Sequence, residues 1–117
     1  MIVGLGVDIS SLDRFAAAAA RPGFLEKVFT HSEREGATQS LAGRFAVKEA
    51  LAKALGAPGG LAWHDCVVGY ADSGRPEVEL RGTVRARADA LGVTKVSVSI
   101  SHDAGVAVAV VICEADR

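Results

Sequence analysis

The chain has 117 residues, half of them apolar, and a formal net charge of −1. This length predicts a single domain over residues 1–117, and the near-zero charge gives no sign of a nucleic-acid or membrane-surface partner. No apolar run reaches the roughly 18 residues of a membrane span. No signal peptide is recognised at the start, so we expect a cytoplasmic protein.

The first third of the chain predicts one strand followed by short helices. Residues 2–9 are apolar and β-branched apart from two glycines, which indicates a buried strand with Asp8 near its end. Residues 10–13 (Ser-Ser-Leu-Asp) fit a capping box and predict the start of a helix. A second short helix is predicted at 24–29, and residues 30–33 (Thr-His-Ser-Glu) form another capping box.

A long helix is predicted at residues 41–55, where strong helix formers are followed by a glycine and a proline. It is apolar nearly all round, which is typical of a buried helix. Its charged residues Lys48, Glu49 and Lys53 therefore need a charged partner, a metal or an anionic ligand. Glu49 and Lys53 lie one turn apart and share a face, so an ion pair between them is one expectation.

The second half of the chain predicts strands at 66–71, 77–80, 95–101 and 106–113 and a helix at 83–91. Turns at 72–76 and 102–105 join these strands into antiparallel hairpins. The last strand is almost purely apolar, which predicts burial on both of its faces. Cys66 and Cys113 lie in apolar runs and are expected to be buried free thiols. The order of elements predicts an α+β fold, with a mainly antiparallel sheet packed with the long central helix.

Asp8 and Glu49 are the strongest candidates for chemistry. Each alone has a structural explanation, because Asp8 could cap the following helix and Glu49 could pair with Lys53. Together, two carboxylates against apolar walls suit Mg²⁺, and the neighbouring lysines suit phosphate groups. Residues 101–103 (Ser-His-Asp) cannot form a hydrolase triad, because a triad is a spatial and not a sequential arrangement.

Three segments of the chain resemble the signatures of one family. They are Gly4-Leu5-Gly6-Val7-Asp8-Ile9, Phe45-Ala46-Val47-Lys48-Glu49-Ala50-Leu51-Ala52-Lys53 and Ser99-Ile100-Ser101-His102. This pattern is similar to that of the holo-[acyl-carrier-protein] synthases, the short 4'-phosphopantetheinyl transferases. The segments at 41–44 and 74–76 also resemble parts of that family. The resemblance implies the 4'-phosphopantetheinyl transferase fold and covers essentially the whole chain.

The resemblance also implies an activity. Such an enzyme transfers the 4'-phosphopantetheine arm of coenzyme A to a serine of apo-acyl carrier protein, with Mg²⁺, and releases adenosine 3',5'-bisphosphate. This reaction serves fatty-acid biosynthesis. The sequence leaves open whether polyketide carriers are also modified, which acyl-coenzyme A donors are accepted, and whether Mg²⁺ or Mn²⁺ is used in the cell.

The resemblance assigns roles to individual residues. It implies that Asp8 and Glu49 hold Mg²⁺, that Glu49 orients the attacking hydroxyl, and that Lys53 binds the pyrophosphate and stabilises the transition state. The further coenzyme contacts that it implies are Arg44, Lys48, Gly60, Arg75, Pro76, Ser101 and His102. Asp103 departs from the family pattern, which often has a small residue there. Asp103 could assist catalysis by orienting His102, or it could only form the turn.

The partners implied by the resemblance are an acidic carrier protein and two further copies of the chain, with coenzyme A between neighbouring subunits of a homotrimer. Arg14 is the best candidate for carrier binding, followed by Arg21 and Lys27. The segment 32–40 looks shorter than is usual in the family, which leaves the carrier preference open. A module that binds coenzyme A without transferring its arm, and a different Mg²⁺-dependent phosphotransferase, are the alternatives. Transfer to a carrier protein discriminates between these possibilities.

Overall fold

The computed structural model describes residues 1–116, and within them it contains five strands and four α-helices. The strands are β1 (Ile2–Ser11), β2 (Cys66–Tyr70), β3 (Pro76–Leu80), β4 (Val93–Asp103) and β5 (Val106–Ala115). The helices are α1 (Leu12–Ala19), α2 (Phe24–Val28), α3 (Thr38–Ala54) and α4 (Gly82–Ala90). An antiparallel sheet has the order β1-β5-β4, and β2 and β3 form a separate antiparallel hairpin. The predicted α+β fold with a long central helix is confirmed.

Helix α3 packs so closely on β1 that only glycine fits at the crossing. A Cβ atom on Gly4 would lie 1.9 Å from the backbone oxygen of Ala54, and one on Gly6 would lie 1.8 Å from that of Ala50. Because side chains alternate along a strand, Asp8 points to the same side as these glycines, toward α3. The glycine spacing of β1 therefore sets where Asp8 meets the helix.

The opposite face of the sheet is open to solvent in this single chain. On β1, Leu5, Val7 and Ile9 are 64%, 55% and 65% exposed. On β5, the face that turns toward α3 is buried, whereas its other face is only half-buried. The predictions that residues 2–9 are buried and that residues 106–113 are buried on both faces are therefore wrong for one face of each strand, because α3 covers only one side of the sheet.

Several element boundaries differ from those predicted. Strand β1 continues to Ser11, which caps α1 in place of Ser10 by accepting a hydrogen bond from the Arg14 N–H at 3.2 Å. Strand β4 continues through Asp103, so the connection to β5 is a tight turn with Ala104 at a φ of 50°. No helix within residues 1–116 has the length and apolar character needed to cross a membrane.

The cysteine prediction is confirmed, since both thiols are free and buried. Burial raises the pKa of the Cys66 thiol to about 12, and it also raises the pKa of Cys113. Neither sulfur is therefore a thiolate near neutral pH.

Candidate active site

Asp8 and Lys53 meet where α3 crosses β1. The Lys53 ammonium donates to Asp8 Oδ1 at 3.1 Å and to the backbone oxygen of Val7 at 3.0 Å. Within residues 1–116, the ion pair of Lys53 is with Asp8 and not with Glu49. The expected Glu49–Lys53 pair is thus wrong, because the tight packing of α3 on β1 brings Asp8 and the Val7 carbonyl within reach of the lysine.

Glu49 lies near this pair, and the charges of both Asp8 and Lys53 affect the pKa of its carboxyl group. The pKa of the Glu49 carboxyl is raised, first by burial and then by the negative charge of Asp8, while the Lys53 ammonium opposes the rise. The two carboxylates thus lie near enough for electrostatic coupling. In the part of the chain that the structure describes, no group of three or more His, Cys, Asp and Glu side chains is placed to hold a metal. The carboxylates that come together at this position are those of Asp8 and Glu49, the two that were predicted.

A cleft of about 230 Å³ opens beside Glu49. One wall is α3, and the other is formed by the connection between α3 and β2 together with Val84 of α4. The lining is mostly apolar, with Leu51, Leu55, Leu61 and Trp63 among its residues. A mostly apolar cleft with a carboxylate at its edge suits a ligand that has an uncharged arm and a charged end.

Lys48 does not belong to this cluster of charges. Its side chain is 1% exposed, and its ammonium donates to Glu33 Oε1 and to the backbone oxygen of Trp63, each at 3.0 Å. The third donor reaches the backbone oxygen of Cys66. Because an ammonium has three donors, these contacts leave none for a phosphate. These contacts therefore do not support the prediction that the Lys48 ammonium binds the coenzyme.

Arg44 and His102 lie at the N-terminal half of α3. Arg44 Nη1 donates to the backbone oxygens of Glu33 and Glu35 at 2.8 and 2.6 Å, so part of its guanidinium fixes the preceding segment. His102 lies against α3 at Gly43, where a Cβ atom would be 3.1 Å from the imidazole Nε2. His102 and its neighbour Ser101 are both exposed at the end of β4.

The other predicted residues lie at the surface in separate places. Gly60 lines the cleft, whereas Arg75 and Pro76 belong to the β2–β3 hairpin and are not among the lining residues. The Asp103 carboxylate accepts a hydrogen bond from the next backbone N–H at 2.9 Å, which is a turn-forming contact. The basic residues Arg14, Arg21 and Lys27 are all exposed on or near α1 and α2.

Comparison with known proteins assigns the family. Residues 4–111 match the model of the 4'-phosphopantetheinyl transferase superfamily. The chain is 53% identical over 115 residues to the holo-[acyl-carrier-protein] synthase of Beutenbergia cavernae, covering 97% of this chain and 99% of the relative. The chain belongs to the holo-[acyl-carrier-protein] synthases. It is therefore a phosphopantetheinyl transferase, as the resemblance implied.

Solved structures of the holo-[acyl-carrier-protein] synthases share its fold. The chain is similar to the Helicobacter pylori enzyme in complex with coenzyme A, with a TM-score of 0.84 and 34% identity over 94% of this chain and 99% of that one. It is also similar to the Mycobacterium tuberculosis acyl carrier protein synthase, with a TM-score of 0.75 and 34% identity over 98% of this chain and 99% of that one.

Sequence reasoning missed one charged residue of this holo-[acyl-carrier-protein] synthase. Glu33 was predicted only as the last residue of a capping box, and its contact with the Thr30 N–H is present at 2.8 Å. Its side chain is nevertheless fully buried, because it is the partner of Lys48. The sequence did contain an indication of this pair. Lys48 lies on a helix predicted to be buried and has no carboxylate one turn away on the same face, so its partner had to come from another segment.

Proposed function

We propose that this chain transfers the 4'-phosphopantetheine arm of coenzyme A to a serine of apo-acyl carrier protein. The observation that carries the proposal is the meeting of Asp8, Glu49 and Lys53, with Glu49 also lining an apolar cleft, in a chain of this family. Two carboxylates and an ammonium suit a metal-bound pyrophosphate, and the cleft suits the uncharged pantetheine arm.

In the proposed reaction, the serine oxygen of the carrier protein forms a bond to the β-phosphorus of coenzyme A. The bond from that phosphorus to the bridging oxygen breaks, and adenosine 3',5'-bisphosphate leaves. Glu49 accepts the serine proton, directly or through a water molecule. Lys53 lies beside it and stabilises the charge that develops on the pyrophosphate oxygens.

Asp8 and Glu49 are the residues that would hold Mg²⁺. Their carboxylates are the hard oxygen donors that this ion prefers. The charge of Asp8 raises the pKa of Glu49 even with Lys53 nearby, so the site has negative charge for a cation to neutralise. When bound, Mg²⁺ would act as a Lewis acid on the pyrophosphate oxygens.

The remaining coenzyme contacts are proposed from the family pattern and from position. Gly60 lines the cleft, and His102 and Ser101 lie near the N-terminal half of α3. Arg44 keeps only part of its guanidinium free for a ligand. Arg75 and Pro76 are proposed to contact the adenine side of the coenzyme, whereas the Lys48 ammonium already binds three protein oxygens.

A homotrimer is part of the same proposal. The exposed apolar face formed by Leu5, Val7 and Ile9 continues onto the half-buried face of β5. A contiguous apolar surface of this kind is typical of an interface, and we propose that further copies of the chain cover it. The basic residues Arg14 and Arg21 are proposed to bind the acidic carrier protein, and the cytoplasm remains the predicted location.

Incubation of the protein with coenzyme A, Mg²⁺ and an apo-carrier protein tests the function. Mass spectrometry should show the carrier gaining one phosphopantetheine arm, and chromatography should show adenosine 3',5'-bisphosphate in equal amount. The substitutions Asp8→Ala and Glu49→Gln should abolish the gain. The control Asp89→Asn, which changes an exposed carboxylate on α4, should leave it intact.

The choice of carrier distinguishes the remaining possibilities. A mass gain on fatty-acid carriers alone, or on polyketide carriers as well, would define the range of partners. Binding of coenzyme A without a gain on any carrier would contradict the proposed transfer and favour a binding module. Release of adenosine 3',5'-bisphosphate without a carrier protein would favour a different phosphotransferase.

A further inference from the structure

A buried ion pair joins separate parts of the chain behind the cleft. Lys48 of α3 and Glu33 have side chains that are 1% and 0% exposed. Glu33 Oε2 accepts a hydrogen bond from the Val68 N–H at 2.8 Å, and Oε1 accepts from the backbone N–H and hydroxyl of Thr30. The Lys48 ammonium reaches the backbone oxygens of Trp63 and Cys66. Because most of these contacts join residues 15 or more positions apart, the pair ties the segment before α3, the helix itself and the start of β2 together.

These contacts fix one wall of the cleft relative to the other. Trp63 and Cys66 both line the cleft, as does the Lys48 side chain, whose ammonium holds their backbone carbonyls against α3, the opposite wall. The Trp63 ring also stacks on Phe45 of α3, with centroids 5.6 Å apart. The Lys48 ammonium therefore contributes, together with this ring stacking, to the width of the cleft beside Glu49.

The position of Glu49 itself has a different origin. Gly4 and Gly6 fix α3 on β1 through backbone contacts that do not involve Lys48. Loss of the Lys48 contacts should thus move the connection that forms the outer wall, while Asp8 and Glu49 keep their relative positions.

We propose that Lys48 and Glu33 form a positioning pair, which shapes the cleft for the pantetheine arm of the coenzyme while its charged groups bind only to the protein itself. This inference rests on the proposed function, because it assumes that the arm enters this cleft. Lys48 thereby belongs to the Phe-x-x-Lys-Glu pattern as an internal hydrogen-bond donor, next to the residue that takes part in the chemistry. A buried pair is weak evidence for stability, but breaking one leaves an uncompensated charge and costs stability.

Three variants separate positioning from stability. Lys48→Met and Glu33→Gln each leave one charged partner, and Glu33→Gln/Lys48→Met removes both charges. The single variants should unfold at lower temperature, and the double variant should recover most of that loss because no lone buried charge remains. Val111→Ala, which truncates a fully buried residue of β5, serves as a control of lowered stability away from the pair.

Activity and fluorescence then decide the role. In Lys48→Met and in the double variant, the KM for coenzyme A should rise on the order of tenfold, with little change in kcat, because the cleft wall is displaced while Glu49 is not. Trp63 is the one tryptophan of the chain, so acrylamide quenching of its emission reports directly on this wall. Quenching should increase in both variants and stay unchanged in Val111→Ala.

In the double variant, the melting temperature is expected to recover while KM and Trp63 quenching stay changed. If KM and Trp63 quenching also returned to their wild-type values, the proposal would be overturned, because the pair would then act on stability alone. A fall in kcat at constant KM would overturn it as well, since Lys48 would then act on the chemistry. If the wild-type protein transfers nothing to any carrier, the proposed function fails separately. In that case, the pair is still tested by comparing the wild type with Lys48→Met and the double variant. Trp63 quenching and a fluorescence titration with coenzyme A would show whether loss of the pair changes the cleft.

Discussion

The Lys53 ammonium lies 3.1 Å from Asp8 Oδ1, so the last charged residue of α3 contacts the acidic residue of β1 beside the crossing of the two elements. The i,i+4 neighbour Glu49 is left free of that ion pair. Asp8 therefore has a cationic partner, while the pKa of Glu49 is raised by burial and by Asp8. Glu49 is therefore the carboxylate of this pair with a raised pKa, which is a property suited to the proton acceptor that we propose it to be.

Replacement of Lys53 by methionine should separate stability from activity. The Lys53 side chain is 50% exposed, and an ion pair of this kind contributes about 1 kcal/mol or less to the free energy of unfolding. Loss of its charge beside the pyrophosphate should lower kcat by about 100-fold or more. Thermal unfolding and mass-spectrometric transfer assays on Lys53→Met measure the two effects. A large drop in melting temperature, or transfer at the wild-type rate, would contradict this assignment.

Replacement of Gly6 by alanine should destabilise the fold. The new Cβ would lie 1.8 Å from the backbone oxygen of Ala50, and neither backbone can move without shifting α3 off β1. The free energy of unfolding should fall by about 3 kcal/mol or more, at the upper end of the usual cost of overpacking. Urea unfolding followed by circular dichroism measures this change.

The matched control is Gly69→Ala in β2, where an added Cβ would meet no atom within 4 Å. That variant should be as stable as the wild type or more stable, because alanine has less conformational freedom to lose than glycine. Equal stability of Gly6→Ala and Gly69→Ala would show that the contact between α3 and β1 is looser than the structure indicates.

The burial of α3 could be predicted from its composition, and the hairpin turns could be predicted from their glycines and prolines. The partners of its charges could not. Lys48 pairs with a glutamate 15 positions earlier in the chain, and Lys53 pairs with an aspartate 45 positions earlier. Such pairs depend on how the segments pack, whereas local sequence spacing reports only on neighbours along one helix. The burial of the outer face of β1 and β5 was also predicted wrongly. An apolar strand has the same sequence pattern whether a helix of its own chain or another subunit covers it.

The stability contributed by Asp65 should depend on pH. Its carboxylate accepts hydrogen bonds from the Thr83 backbone N–H at 2.8 Å and hydroxyl at 2.7 Å, at the first turn of α4. The hydrogen bonds to Thr83 hold the pKa of Asp65 below its ordinary value. The folded state therefore binds this proton less tightly than the unfolded state. The stabilisation is present above the ordinary pKa and is lost as the pH falls through the lowered pKa.

Comparison of wild type with Asp65→Asn checks this sign. The variant should melt at lower temperature at neutral pH, and the difference should shrink toward zero at a pH well below the ordinary pKa of a carboxyl group. Melting temperatures measured across that range give the dependence. A difference that stays constant with pH would show that the side-chain shape of Asp65, and not its charge, holds the start of α4.

The role of Asp103 can be resolved by two substitutions that differ in one property. The carboxylate accepts a hydrogen bond from the Ala104 N–H at 2.9 Å, a contact that an asparagine oxygen can also make. Asp103→Asn therefore keeps the turn and removes the charge, whereas Asp103→Ala removes both. Because we expect the charge to orient His102 or to assist proton transfer, both variants should slow transfer on the order of tenfold.

Neither variant should change the fold, since Asp103 is exposed at the end of β4. Steady-state transfer to an apo-carrier protein, with circular dichroism to verify folding, measures the outcome. Slow transfer by Asp103→Ala with normal transfer by Asp103→Asn would assign Asp103 to the turn, because only the hydrogen bond would then matter. Normal transfer by both variants would exclude it from catalysis and from the shape of the site alike.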